Sequence, residues 1–226
     1  MATYLIIGAG HFGRFAWQRL RERDPAAQFW VVDQDPEALT QLPACADTRL
    51  MLAEGAELLA EILATAACPD WVIPAVPIHL AFAWLLLTLP AHEAWRQVPV
   101  PLELGQDLPG RQQGAAGEIY FSLATGRCPD DCPEPASRCS LTNAPRVGNL
   151  FEMLAHQQLT GYNTVVLRSH QLAPGVGGYR PAALLQLREE VMQAGARRLL
   201  VCTACRCHGV CQGLERLIGR ESEVGV

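Results

Sequence analysis

The chain has 226 residues, of which 50% are hydrophobic and 18% charged, with a formal net charge of -5. A packed core is affordable at that composition and global disorder is excluded. The acidic balance and the lack of a Lys/Arg run argue against nucleic acid or an anionic membrane surface as a partner.

Residues 4–7 form an apolar, strand-like run ending in Gly8, after which Phe12, Phe15, Ala16 and Leu20 recur at the spacing of one helical face. Residues 29–32 read as a second strand closed by Asp33. Residues 36–42 read as a short helix with Pro36 in its first turn. Further strands are expected at 49–52, 71–76 and 98–102, with helices at 56–66 and 78–89. Strands alternating with helices predict a parallel sheet covered on both faces. The stretch 71–90 has about the length of a membrane span. Pro74, Pro77 and His79 divide it into strand and helix, so no span is expected.

From 105 to 117 the composition shifts to Gly, Gln, Asp and Pro, the signature of a linker or surface loop. Beyond it the pattern predicts a strand at 118–124, an irregular Cys- and Pro-rich stretch at 126–146 and a helix at 150–159. A strand at 164–168 follows, then a loop through "LAPGVGGYRP", a helix at 182–194, a strand at 198–202 and a final helix at 210–218. This half is expected to extend the sheet or to form a small α/β lobe of its own.

Gly8-Ala9-Gly10-His11-Phe12-Gly13 is a G-x-G-x-x-G between a strand and an amphipathic helix, and Asp33 closes the next strand 20 residues after Gly13. Gly8 suits a tight turn, Gly10 a close approach of backbone to pyrophosphate, and Gly13 close packing of helix on strand. The helix N-terminus, with the backbone of His11 and Phe12, offers unpaired N–H groups to phosphates. The Asp33 carboxylate can accept both ribose hydroxyls and would repel a 2′-phosphate, which favours NAD(H) over NADP(H). Another adenosine cofactor, or a unit without a ligand, remains an alternative.

The stretches "LIIGAGHFGRFAWQRL" and "VVDQDPEAL" resemble the NAD-binding domain of the Trk-type, or RCK, potassium-transport regulators. The resemblance covers residues 1–42. It implies a Rossmann-type fold in which Gly8, Gly10 and Gly13 hold the pyrophosphate and Asp33 the ribose. Where that family continues with a Gly-Asp pair after its third strand, this chain reads "LMLAEGAELL".

Nine cysteines are many for a chain whose first residues show no basic, signal-like segment. The expected setting is the cytoplasm, where clustered thiols more often bind metals or catalyse than form disulfides. Cys45 and Cys68 stand alone and read as structural, buried thiols. Cys128, Cys132 and Cys139 follow C-x3-C-x6-C on a Pro-rich loop, and Cys202, Cys205, Cys207 and Cys211 follow C-x2-C-x-C-x3-C. Neither spacing matches a zinc finger or a ferredoxin in full. If the two groups meet, Cys128, Cys132 and Cys139 with Cys205 or Cys207 make four thiolates, enough for zinc or a [4Fe–4S] cluster, with His208 as an alternative ligand. The expected strand-to-helix junction and Arg206 would lower the pKa of the second group. A Cys202–Cys205 redox dithiol and purely structural thiols are the other readings.

Arg168, Gly177, Gly178 and Arg180 flank the Gly-rich loop and are candidates for holding an anion, with His170 a candidate proton donor. His79 reads as a helix-start residue, and His92 as a surface or packing residue. The whole is expected to be an α/β protein: a Rossmann-type doubly wound parallel sheet with a Cys-rich α/β C-terminal half. Its parts are an NAD(H)-binding unit at 1–103, a linker at 104–117 and a metal-binding half at 118–226. The expected activity passes reducing equivalents between NAD(H) and the cysteine site, with a small molecule or a redox protein as partner. A non-enzymatic NAD(H)-sensing regulator is the alternative, and a homodimer is compatible with either.

Overall fold

The computed structural model describes residues 1–65, 68–91 and 94–217. His92, the last residue of the helix expected at 56–66, and everything after Leu217 lie outside the described residues.

The first unit is built from β1 (Thr3–Ile7), α1 (His11–Arg23), β2 (Gln28–Asp33), α2 (Pro36–Thr40), β3 (Thr48–Leu52), α3 (Gly55–Leu63), β4 (Trp71–Pro74) and α4 (Leu80–Thr88). The four strands run parallel in the order β3-β2-β1-β4. Two of these helices, α2 and α3, start at a side-chain cap. Asp35 accepts the Glu37 N–H at 2.9 Å at the head of α2, and Glu54 accepts the Glu57 N–H at 2.8 Å at the head of α3. Both faces of the sheet are buried, as the alternation of strands and helices predicts. Ile6, Phe29 and Val31 face α1 and α2, whereas Leu5, Ile7 and Val32 face α3 and α4.

The second half contains β5 (Ala94–Val98), β6 (Gln112–Gln113), β7 (Ile119–Ser122), α5 (Leu150–Ala155), β8 (Tyr162–Arg168), β9 (His170–Ala173), β10 (Val176–Gly178), α6 (Pro181–Gln193), β11 (Arg198–Ala204) and β12 (His208–Leu217). It makes its own mixed sheet, β6-β7-β12-β11-β8, with β5 alongside the far end of β12. Side chains alternate across β11: Leu199 and Val201 join the core shared with α3 and α4, whereas Leu200, Cys202 and Ala204 face α5. The two halves therefore share one apolar core. The chain is mixed α/β with a four-stranded parallel sheet and a second sheet behind its helices.

Three expectations are corrected. The helix expected at 210–218 is the strand β12 as far as Leu217, paired along both edges. Val210, Leu214 and Leu217 do repeat with a helical period. That local preference loses to two ladders of hydrogen bonds, and a Cβ at Gly213 would crowd the Val98 carbonyl. The loop expected at "LAPGVGGYRP" is the β9–β10 hairpin, turned by Gly175 in the left-handed region (φ +76°). Just past its second strand, Tyr179 and Val72 of β4 exchange N–H···O bonds of 2.9 and 3.0 Å, an antiparallel bridge that ties the hairpin to the edge of the parallel sheet. The fifth strand runs earlier than its prolines suggest, at Ala94–Val98, and joins the second sheet.

β12 also buries a charge. Glu215 is 0% exposed, and its carboxylate accepts bonds from Arg96 (2.5 and 2.9 Å) and Arg198 (3.0 Å), with Arg197 at 3.4 Å. These guanidiniums, Arg96 foremost, hold the carboxyl below the usual carboxylate range. No helix among the described residues is long and apolar enough to cross a membrane.

Candidate functional site

The glycine-rich turn leaves β1 at Gly8, whose φ of +105° lies in the left-handed region and whose N–H donates to the Val32 carbonyl at 2.7 Å. Gly13 lies against that same turn, and a Cβ there would run into the Gly8 carbonyl oxygen. Gly10 differs. Its φ is -65°, which any residue adopts, and a Cβ there would meet nothing within 4 Å. The chain itself therefore gives no reason for glycine at position 10; space is kept in front of the α1 N-terminus. Asp33 is locked beside it: its Oδ2 accepts the Ala9 N–H at 2.6 Å and its Oδ1 the Asp35 N–H at 2.9 Å. Gly8, Asp33, Glu54 and Val76 line a small cavity of about 150 Å³ over the carboxyl ends of the strands.

A second cavity of about 440 Å³ opens on the other side of this turn. Phe12, 56% exposed, forms part of its wall. Cys128, Cys132 and Glu134 of the Pro-rich loop form another, and Cys205, Cys207 and His208 of the β11–β12 turn a third. The two cysteine groups thus meet, and they meet beside the glycine-rich turn. The Pro-rich loop is pinned in place: Gly175 N–H and the Gln171 amide donate to the Cys132 carbonyl at 2.9 and 2.6 Å. Asp130 reaches the His11 ring at 3.3 Å, and Asp131 reaches Arg19 at 3.8 Å. Cys139 does not line the cavity. Its thiol is lowered by backbone and side-chain hydrogen bonds from Thr142 in its own turn.

No helix follows the cysteines of this turn, so the expected dipole lowering of their pKa is absent. Burial pushes the Cys205 thiol up to about 12, with the Glu134 carboxylate adding to the rise. Two backbone donors oppose it, the N–H groups of Cys207 at 3.4 Å and His208 at 3.3 Å, both aimed at the Cys205 sulfur. Burial likewise raises Cys207, against a hydrogen bond from Arg146 Nη1. Arg206 instead bonds Asn149 Oδ1 at 2.7 Å. Burial raises Cys128, whose sulfur lies 3.8 Å from His208 Nε2, and lowers His208. Glu134 takes left-handed backbone (φ +45°) and accepts the Arg206 N–H at 2.6 Å. Glu134 and Arg146 escaped the sequence reading, because nothing in their local pattern shows that they fold back onto the second cysteine group.

The donor types, four thiols and an imidazole around one cavity, suit a soft metal. Among the described residues, no group of three or more His, Cys, Asp and Glu side chains is already arranged to hold a metal ion. Cys202 turns the other way, into the α5-side core, where it faces Cys211 rather than Cys205. Cys45 is half-buried, but Cys68 is exposed, contrary to the expected burial.

The anion candidates are dispersed. The Arg168 guanidinium lies over the Phe151 ring at 4.3 Å and that of Arg180 over Trp71 at 4.5 Å. Gly178 abuts Val72, and Gly177 lines the cysteine cavity. His170 is exposed with its ring edge-on to Trp71 at 5.9 Å, and burial of its ring, then Arg168 and Arg180, lower its pKa.

His79 stands at the head of α4, 8% exposed, and shares a 2.7 Å hydrogen bond with Thr203 Oγ1. Burial lowers its pKa from 6.5 to about 4. The unfolded chain therefore takes up a proton near pH 6.5 that the folded chain refuses until about pH 4. Its stability is complete above pH 6.5 and falls as pH drops toward 4, a loss of about 2 kcal/mol by pH 5. Urea unfolding at pH 7 and pH 5 should show this loss in the parent and little of it in His79→Gln. An equal loss in both would place the acid sensitivity elsewhere.

A family model described as "Uncharacterized protein, C-terminal domain" matches residues 81–217, from α4 to the end of β12. The chain is also 26% identical over 225 residues to an "Uncharacterized protein" of Archaeoglobus fulgidus, covering 94% of this chain and 99% of that protein. No solved structure matches the chain.

Proposed function

The chain belongs to the family of C-terminal domains that matches residues 81–217, and from its glycine-rich turn and its cysteine cavity we propose that it is an NAD(H)-binding redox protein. Its N-terminal unit is Rossmann-type, and the cavity beside it holds a cysteine-ligated iron–sulfur cluster or zinc. One observation carries this reading: Phe12 of the glycine-rich turn and Cys128, Cys132, Cys205 and Cys207 border the same cavity. The space in front of Gly10 fits a pyrophosphate at the α1 N-terminus, and the bound position of Asp33 fits a ribose.

Within this reading the chain's own groups do the positioning. The α1 N-terminus orients the phosphates, Asp33 sets the adenosine end, and Phe12 separates the dinucleotide from the thiols. Cys128, Cys132, Cys205 and Cys207 would hold the metal, with the amides of Cys207 and His208 steadying the Cys205 sulfur. When bound, the dinucleotide would supply two electrons with one proton released, and an iron–sulfur cluster would accept one electron, so one NADH would reduce the clusters of two chains. A second reading, an NAD(H)-sensing regulator with structural zinc, draws on the His11–Asp130 and Arg19–Asp131 contacts. They tie the nucleotide turn directly to the cysteine loop.

Anaerobic purification with metal analysis and absorption spectroscopy separates the two. A brown protein with a band near about 400 nm that bleaches on NADH addition is expected. A colourless protein with one zinc that still binds NADH would favour the regulator. A protein that takes neither metal nor NADH would overturn both.

A further inference from the structure

Cys202 and Cys211 of the β11–β12 hairpin are not used by the proposed site. Cys202 and Cys211 are directly opposite each other in the antiparallel ladder, both 0% exposed, with sulfurs 2.7 Å apart in the core facing α5. Opposite residues of an antiparallel pair stand at the separation a disulfide can span, and the present gap exceeds an S–S bond of about 2.05 Å by little. Ile119, Phe121 and Leu150 belong to the same core, so among the described residues the thiols have each other as chemical partners there. The pair brackets the turn that carries Cys205 and Cys207, three residues before the first and four after the second.

We propose that Cys202 and Cys211 are a reversible dithiol–disulfide pair, closed by exchange with a small-molecule disulfide, that locks the hairpin presenting Cys205 and Cys207. One cysteine thiolate attacks the external disulfide, forming a mixed disulfide and expelling one small thiol. The second cysteine thiolate then attacks the protein-side sulfur, forming the Cys202–Cys211 bond and expelling the other. The two cysteines are oxidised by two electrons, the small disulfide is reduced, and the two protons end on the departing thiols. Burial keeps both sulfurs from bulk reagents, so the exchange proceeds through local opening of β12 and is slow. The inference is independent of whether the cavity holds a metal or the turn a dinucleotide.

The test is incubation of the folded full-length chain with excess oxidised glutathione for a day, followed by trypsin. Cleavage after Arg206 separates Cys202 from Cys211. In the Cys205→Ser, Cys207→Ser double variant, these two are the remaining thiols on peptides 199–206 and 207–216. The peptides are expected joined, lighter by two hydrogens and released by dithiothreitol, with the melting temperature of the intact chain raised by roughly 5–10 °C. In the parent chain, fragmentation should place the same link between Cys202 and Cys211. Recovery of both as free thiols or as separate glutathione adducts, in the parent and in the double variant, overturns the proposal.

Discussion

Gly10→Ser is expected to leave the melting temperature within about 2 °C of the parent's while weakening NADH binding at least ~10-fold. Serine is a good N-cap, the backbone at position 10 already has an N-cap geometry, and no protein atom stands in the way of the new side chain. What the hydroxymethyl group does occupy is the space in front of the α1 N-terminus, where a pyrophosphate would sit. Gly13→Ala should behave in the opposite way. Its Cβ would collide with the Gly8 carbonyl, a backbone atom that cannot rotate aside, so α1 must move off β1. A loss of about 1–3 kcal/mol is expected, read as a fall of roughly 3–10 °C by calorimetry, with weaker NADH binding as a consequence. Unchanged NADH affinity in Gly10→Ser would remove the nucleotide from this turn. An unchanged melting temperature in Gly13→Ala would remove the close contact of helix and strand.

The second large effect is expected at the cavity. Cys205→Ser should lower the affinity for metal at least ~10- to 100-fold, the loss that follows even when groups behind a metal ligand are removed. Cys205 lies on the cavity wall with two backbone N–H groups aimed at its sulfur, an arrangement that stabilises a thiolate once a cation displaces the proton. Cys139→Ser should retain the metal, because Cys139 is engaged with Thr142 in its own turn and does not line the cavity. Metal content per chain after dialysis against a chelator measures both. Equal retention by the two variants would show that the ligands lie elsewhere. Equal loss would restore Cys139 to the set.

How much of this was readable in advance varies with the range of the interactions concerned. The strand–turn–helix at Gly8 to Gly13 and the acid at Asp33 were legible because the motif is local, with its partners within one β-α-β stretch. The split of 71–90 into strand and helix followed equally from Pro74 and Pro77. The apolar residues of β12 predict a helix because they also repeat at a helical period, and two of its three partner strands, β5 and β7, lie far from it along the chain. Glu215 shows the same limit: a lone acid in sequence, it becomes the buried partner of Arg96 from another strand.

The sequence by itself determined the glycine-rich turn, the alternation that yields a parallel sheet, and the existence of two thiol groups. It determined these because each depends on near neighbours and on residue chemistry. Only the tertiary structure decided that the thiol groups face each other across one cavity, that Cys139 stands outside it, and that Glu134 and Arg146 stand inside or behind it. It also decided that Cys202 pairs with Cys211 rather than Cys205. Those outcomes depend on strand register and on where the Pro-rich loop lands, through contacts such as Gly175 N–H to the Cys132 carbonyl. Such contacts join residues far apart along the chain, and no spacing within either segment encodes them.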